Sequence, residues 1–501
     1  MSETKQSIYE YMASQIHDGE LPASFSLPQE EGTAGQLKWS DGAMDGMYIY
    51  HTAHGELPKE ALDSVSRAVQ DASSGDMERA DRSFADLIRR FQAIAVTDTL
   101  LDYITEHEES LNAGNIYRFA IHLMIESPER EEVKLGLALM QLFDSSEEIL
   151  RDIIRSLGLS DEFTLYSLLN MLRWENADEE VFELARHVHG WGRIHAVERM
   201  DPATPQIRDW LLTDGIRNEV MPEYSALTVF YKAEVDERLR EDPLDPAHFR
   251  AAGDVLSALL SEGPVAGISA VEGAAGVLLH YLDQADRQKL MIRDYELISQ
   301  IYYYTAAKGG KDRIMASLSE RSSAMLHTPA AEECVRAALK KGEGIELAVA
   351  LGIPYQKEVF LLMQKDFEHN YRCCGYLMDD PVWSEAVLDL YRKRIRLEDL
   401  EDDPRDEMGL GDGWADYVRL DVLLEAMKGE CRTAGDILMK TLGAPTVRTR
   451  YLTLQCLKDW TEKAGQPLST LSLRIYDRLS EVYEREPRED LRVQMKALLE
   501  H

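Results

Sequence analysis

Glu132-Val133-Lys134-Leu135-Gly136-Leu137-Ala138-Leu139 opens an apolar helix, and openings of the same kind return downstream. They stand at Glu162-Phe163-Thr164-Leu165, at Trp191-Gly192-Arg193-Ile194-His195-Ala196-Val197 and at Met221-Pro222-Glu223-Tyr224-Ser225-Ala226-Leu227. Positions 133, 163, 193 and 223 are thirty residues apart, a period that fits a two-helix unit. Such a unit can bury its apolar faces only against its neighbours, so the stretch predicts stacked helical hairpins.

The helical period extends outward from this stretch. Leu62, Val65, Ala68 and Val69 share a face, as do Phe84, Leu87, Ile88 and Phe91. Helices joined by short turns are expected from Lys59 to Leu499, although residues 236–380 keep no clean register. Near the end, Pro445-Thr446-Val447-Arg448-Thr449-Arg450-Tyr451-Leu452-Thr453-Leu454-Gln455-Cys456-Leu457 has the form of a HEAT second helix, a Pro-x-Val-Arg start leading into a small and apolar stripe. The fold class expected is therefore all-α, a HEAT-like α-solenoid.

Two segments depart from the pattern. Residues 1–58 read as an irregular N-terminal cap or arm: a short helix-like start gives way to a stretch rich in Gly and Pro. There Lys38-Trp39 and Met47-Tyr48-Ile49-Tyr50 each read as a short strand or extended segment. Leu397 to Tyr417 packs nine acidic residues with Pro404 and three glycines, and reads as an acidic loop or poorly ordered insertion. The expected organisation is a cap over 1–58, a solenoid over 59–396, the acidic loop over 397–417 and HEAT-like helices over 418–501.

Composition narrows the functional classes. With 45% hydrophobic residues the 501-residue chain has ample material for a core, and 17 Pro and 31 Gly suit helices better than many short strands. Lys and Arg number 55 against 90 Asp and Glu, a formal net charge of −35. Nucleic-acid binding needs cations on the phosphates, so no nucleic-acid partner is expected. The modestly basic stretches are Tyr391-Arg392-Lys393-Arg394-Ile395-Arg396 and Val447-Arg448-Thr449-Arg450, and acidic residues closely follow the first. Cys334, Cys373, Cys374, Cys431 and Cys456 are odd in number. The N-terminal residues show no basic stretch leading into an apolar one, and no run of 18 apolar residues occurs. A cytoplasmic protein with reduced thiols and no membrane contact is expected.

Two stretches could carry chemistry. His187-Val188-His189-Gly190-Trp191-Gly192-Arg193-Ile194-His195-Ala196-Val197-Glu198-Arg199 holds three histidines, and His195 and Glu198 would share a helix face, a spacing that can serve a metal. Its simpler reading is structural. Gly190 ends one helix, Trp191 packs in the groove between helices, and Arg193 donates to carbonyls of the preceding unit. Asp41-Gly42-Ala43-Met44-Asp45-Gly46-Met47-Tyr48-Ile49-Tyr50-His51 carries two Asp-Gly turn signals; its carboxylates, tyrosines and His51 form either a structured turn or a polar site. Tyr302, Tyr303 and Tyr304 cannot all face one way on a helix, and Cys373-Cys374 reads as buried rather than reactive. No phosphate-binding loop, dinucleotide fingerprint, Gly-x-Ser-x-Gly elbow, His-Glu-x-x-His or Cys-x-x-Cys occurs.

Three blocks, DGAMDGMYIYHTAH (41–54), HGWGRIHAVERMDPATPQIRDWLLTDGIRNEVMPEYSAL (189–227) and VRTRYLTLQCLKDW (447–460), resemble an uncharacterised family of bacterial, Firmicute-type HEAT-like proteins, some labelled limonene hydroxylase. The resemblance implies the helical-repeat fold. The label would imply a haem, flavin or nicotinamide site, and no signature of one is present, so no cofactor is expected. HEAT-repeat hydroxylases with a two-iron centre carry His-Glu dipeptides in several repeats, whereas this chain has only His107-Glu108.

The function expected is a non-enzymatic scaffold that binds a protein or peptide, with the acidic surface favouring a basic one. Its contacts would be Trp191, Arg193, His195, Arg199, Asn218, Glu223 and Tyr224, with Asp41, Asp45, Tyr48 and His51 as a second candidate group. The alternative is a metal-dependent, hydroxylase-like enzyme using His187, His189, His195 and Glu198. A third reading is an acidic DNA mimic or immunity-type inhibitor.

Overall fold

Short turns join most neighbouring helices in the computed structural model, which describes residues 6–28, 39–52, 57–308, 313–427 and 431–500. Among these residues there are 29 α-helices and no strand; extended pairing is limited to the isolated bridges His17–Glu20 and Glu407–Thr446. The helix starts carry their own signals. Ser7, Asp76 and Asn112 each accept a hydrogen bond from the backbone N–H three residues on, and Thr204 does the same ahead of Pro205. Each side-chain oxygen satisfies one of the donors that a first helical turn leaves unpaired.

The chain forms two compact units. The first comprises residues 1–289 and 300–322, the second residues 290–299 and 323–501. In the first unit the helices are α1 (Ile8–Gln15), α2 (Ala43–His51), α3 (Lys59–Ser74), α4 (Met77–Ile88), α5 (Ala93–Glu106), α6 (Ala113–Glu126) and α7 (Arg130–Met140). They continue with α8 (Glu148–Gly158), α9 (Thr164–Met171), α10 (Ala177–His187), α11 (Trp191–Arg199), α12 (Pro205–Trp210) and α13 (Glu223–Lys232). Neighbours pair as hairpins, α6 with α7, α8 with α9 and α10 with α11. A second set of contacts links alternate helices, α5 to α7, α7 to α9, α9 to α11 and α11 to α13. The four repeat openings fall on this row: Val133 lies in α7, Phe163 caps α9, Arg193 lies in α11 and Glu223 begins α13. Val133 to Met140 is buried throughout, as expected of a helix packed on more than one side. Gly136 lets α7 approach α6, where a Cβ would press on Leu123, Met124 and the Ala120 carbonyl.

The N-terminal segment is less irregular than expected. Its described residues include α1, which packs on α6 and α8, and α2. Met47-Tyr48-Ile49-Tyr50, read as strand or extended chain, is the body of α2. Lys38 lies outside the described residues, and Trp39 precedes α2 without being part of a strand.

In the second unit the Val447–Ala464 helix packs on Ala415–Met427 and on Glu489–Glu500. Arg450, fully buried, donates to both oxygens of Glu486 at 2.7 and 2.9 Å and to the carbonyls of Ala444 and Pro445. The acidic stretch 397–417 is mostly irregular and is pinned from the C-terminal helices. Asp402 pairs with Arg478 and Arg485, Asp406 with Arg488 at 3.1 Å, and Val447 N–H donates to the Glu407 carbonyl.

Candidate functional site

α2 brings the two candidate stretches together. Gly42, with φ +74°, turns the chain into the helix, and its N–H donates to Glu162 Oε2 at 2.7 Å. Gly46 rests directly on the face of Trp191, where a Cβ would collide with the indole ring. Ala43, Trp191 and Ile194 form a small buried cluster, with Tyr50, Val220 and Tyr224 packed around it. Tyr50 stacks on Trp191 and on His195, at ring-centroid distances of 6.0 and 6.4 Å. Its hydroxyl donates to Glu198 Oε2 at 3.2 Å, and His51 Nε2 lies 2.6 Å from the Tyr224 hydroxyl.

Beneath α2 lies an ion-pair cluster centred on Lys134, which is 1% exposed. Its ammonium reaches Glu162 at 2.7 Å, Glu131 at 2.8 Å and Asp45 at 3.0 Å. Arg130 adds a second cation, 3.1 Å from Asp41 and 3.9 Å from Glu162. One ammonium thus faces three carboxylates, two of them buried and Glu131 partly exposed, and the compensation is uneven. Burial works against the ionised Glu162, but Lys134, the Gly42 N–H and Arg130 outweigh it and hold its carboxyl below the usual range. Asp45 is 2% exposed and no described residue offers its Oδ1 a hydrogen bond. Burial, reinforced by Glu131 and Glu162, pushes its carboxyl up to about 6 despite Lys134. The same surroundings favour a charged Lys134, raised in spite of its burial, and a protonated Tyr166, raised chiefly by burial.

Asp161 fastens the start of α11. It accepts from the N–H groups of Gly190 and Gly192 at 2.8 and 3.1 Å, and burial pushes its carboxyl up to about 6. Arg193 donates to the carbonyls of Val188 (2.8 Å), Arg217 (2.9 Å) and Arg186 (3.3 Å), tying the end of α10 to the loop after α12. Asn218 Oδ1 accepts from the N–H groups of Val220 and Met221, closing the turn into α13. Arg199 pairs with Glu198 at 2.8 Å, Glu223 sits half-buried in the first turn of α13, and Tyr48 is half-buried on α2.

The four metal candidates are not brought together. His187 faces Glu183 (3.0 Å) and Glu20 (3.2 Å), and His189 is exposed. His195 is 1% exposed, with neither ring nitrogen bonded to a described residue; burial, helped by Arg199, lowers it to about 3 and keeps it neutral. Glu198 serves Tyr50 and Arg199 instead. Among the described residues no group of three or more His, Cys, Asp or Glu is placed to hold a metal ion.

Elsewhere, Tyr303 is exposed while Lys308 lies over the Tyr304 ring. Cys374 is buried and accepts from the Tyr391 hydroxyl, and burial pushes its thiol up to about 11, away from the thiolate that nucleophilic chemistry needs. Among the described residues no helix is long and apolar enough to cross a membrane.

No protein-family model, curated protein or solved structure matches the chain. The residues that sequence reasoning passed over are Arg130, Glu131, Lys134, Asp161 and Glu162. One signal was available: Lys134 is the sole charged residue within the otherwise apolar run 133–140. A charge there must find partners inside the protein.

The second unit holds a cleft of about 850 Å³ between the Val447–Ala464 and Glu489–Glu500 helices. Leu454, Leu468 and Leu498 contribute its apolar lining. Tyr451 and Val493 stand at it 43% and 61% exposed, and Gln455 donates to Gln494 at 3.0 Å between the two helices.

Proposed function

We propose that the chain is a non-enzymatic protein-binding scaffold, built of helical hairpins stacked in the manner of a HEAT-like α-solenoid. The alternate-helix row from α5 to α13 supports the stacking, since each member packs on the next and α7 to α13 follow the period of the sequence repeat. The observation that carries the binding role is the cleft of about 850 Å³ in the second unit, its lining part apolar and part polar, where Tyr451 and Val493 are exposed. Two facing helices with an apolar floor suit a peptide segment that presents an apolar face of its own. The net charge of −35 favours approach by a basic partner.

The polar clusters support the same reading from the other side. Asp161, Lys134 and Arg193 spend their hydrogen bonds on neighbouring parts of the fold, which suits holding α7 and α11 in place. The test is affinity capture with the purified protein and with Val493→Asp, followed by titration of each captured protein in purified form. The reading expects at least one partner whose affinity drops more than roughly tenfold in the variant, the loss of about one buried anchor. Partners that bind both proteins equally would overturn it.

A further inference from the structure

We propose that α2 is a proton-seated cover: a neutral Asp45 holds it down on the Trp191–His195 floor, and loss of that proton loosens it. This inference does not rest on the cleft of the second unit.

The geometry begins with charge counting. Asp41, Asp45, Glu131, Asp161 and Glu162 crowd beneath and beside α2, with Lys134 and Arg130 as the cations among them. Glu162 has Lys134, Arg130 and the Gly42 N–H, and Glu131 has Lys134 and the Ala93 N–H. Asp161 has two backbone donors. Asp45 shares Lys134 with two closer carboxylates, and no described residue offers its Oδ1 a hydrogen bond. Of these carboxylates it alone has a buried oxygen without a hydrogen-bond partner among the described residues, and it belongs to the helix that covers the floor.

The other groups facing this region do not supply the missing compensation. α7 contributes Arg130, Glu131 and Lys134, already counted, and α9 contributes Tyr166, whose buried hydroxyl stays protonated. α5, which also packs on α2, carries Asp98 and Asp102 at exposed positions. From α11 come neutral His195 and the Glu198–Arg199 pair, and from α13 comes Tyr224; α2 itself adds Tyr50 and His51. The raised proton affinity of Asp45 agrees with this count.

The direction of the effect follows. The carboxyl binds its proton more tightly in the seated state than in an unseated one, so seating is strongest at acidic pH. It weakens as pH rises through about 6. An unseated α2 would release Tyr50 from its stack and uncover Trp191 and His195, whose ring nitrogens have no partner among the described residues. The cover would thus open toward alkaline pH, the reverse of an acid-triggered switch.

Hydrogen exchange read on the α2 peptide of the full-length protein tests this, after correction for the intrinsic pH dependence of exchange. In the wild type, protection of α2 should fall about tenfold between about pH 5 and about pH 8, while peptides from the α6–α7 hairpin hold. Asp45→Asn mimics the protonated acid and should keep α2 protected at both values. Gly46→Ala forces a Cβ into Trp191 and serves as the unseated reference, with fast exchange at either pH. Wild-type protection that is equal at the two pH values overturns the proposal, whether or not Asp45→Asn folds. An Asp45→Asn protein as pH-sensitive as the wild type overturns it equally.

Discussion

Replacing Lys134 by methionine keeps most of the side-chain volume and deletes one positive charge at a site 1% exposed. The charge serves Glu162 at 2.7 Å, Glu131 at 2.8 Å and Asp45 at 3.0 Å. Removing one member of a buried ion pair costs about 3–5 kcal/mol, because the partner is left charged and desolvated. Here the carboxylates can escape part of that penalty by binding protons, so the cost depends on pH. Without Lys134 the proton affinity of Asp45, already raised by burial, rises further, and Glu162 loses the main partner that holds its carboxyl below the usual range. Groups raised in this way contribute most stability at low pH and lose it as pH rises through the folded-state value. The deficit of Lys134→Met should therefore be largest near pH 8 and shrink toward pH 5. Thermal unfolding followed by far-UV circular dichroism reads it, as a lowering of Tm by roughly 3–8 °C at the alkaline end. Adding Asp45→Asn to Lys134→Met should recover about 1 kcal/mol or more, since one orphaned carboxylate is gone. A deficit below about 1 kcal/mol near pH 8, or one that grows on acidification, would refute the reasoning.

Three further outcomes are expected. Gly46→Ala should cost about 1–3 kcal/mol by overpacking α2 against the Trp191 ring, measured by chemical denaturation; a neutral result would mean that α2 does not rest on the indole. Arg450→Met strands the fully buried Glu486 and should cost about 3–5 kcal/mol, much of it regained in Arg450→Met/Glu486→Leu. His195→Phe keeps the stack with Tyr50 and removes two buried nitrogens without partners among the described residues. Because His195 is held neutral down to about 3, the wild type loses stability as pH falls from about 6.5 toward 3, by at most about 5 kcal/mol. A pH titration of Tm should show that acid limb flattened in the variant, and an unchanged limb would assign it to other groups.

The helical row was legible because its signal is periodic and local. Val133, Phe163, Arg193 and Glu223 mark α7, α9, α11 and α13 at a constant spacing, and helices packed side by side need that repetition. The role of Arg193 was readable too: Gly190 and Gly192 frame a turn whose carbonyls need a donor. α2 was not legible. Two Asp-Gly pairs signal turns, and Met47-Tyr48-Ile49-Tyr50 favours a strand by local preference. Tertiary contact overrides both, with Gly42 entering the helix at positive φ and Gly46 surrendering helix propensity for close approach to Trp191. The Lys134 cluster joins residues 41–45, 130–134 and 161–162, and no spacing rule connects positions that far apart. The cleft depends on how two C-terminal helices diverge, which periodicity does not encode.

The most direct test of the scaffold reading is site-specific photo-crosslinking in cell extract, with benzoylphenylalanine placed at Val493 or at Ile149. Val493 stands at the cleft of the second unit, and Ile149 is 75% exposed on α8 of the first unit. The account predicts a discrete crosslinked partner from position 493 that is absent from position 149 and is competed away by that partner in purified form. The same faint ladder from both positions, or a partner captured only from position 149, would contradict the cleft as the binding face.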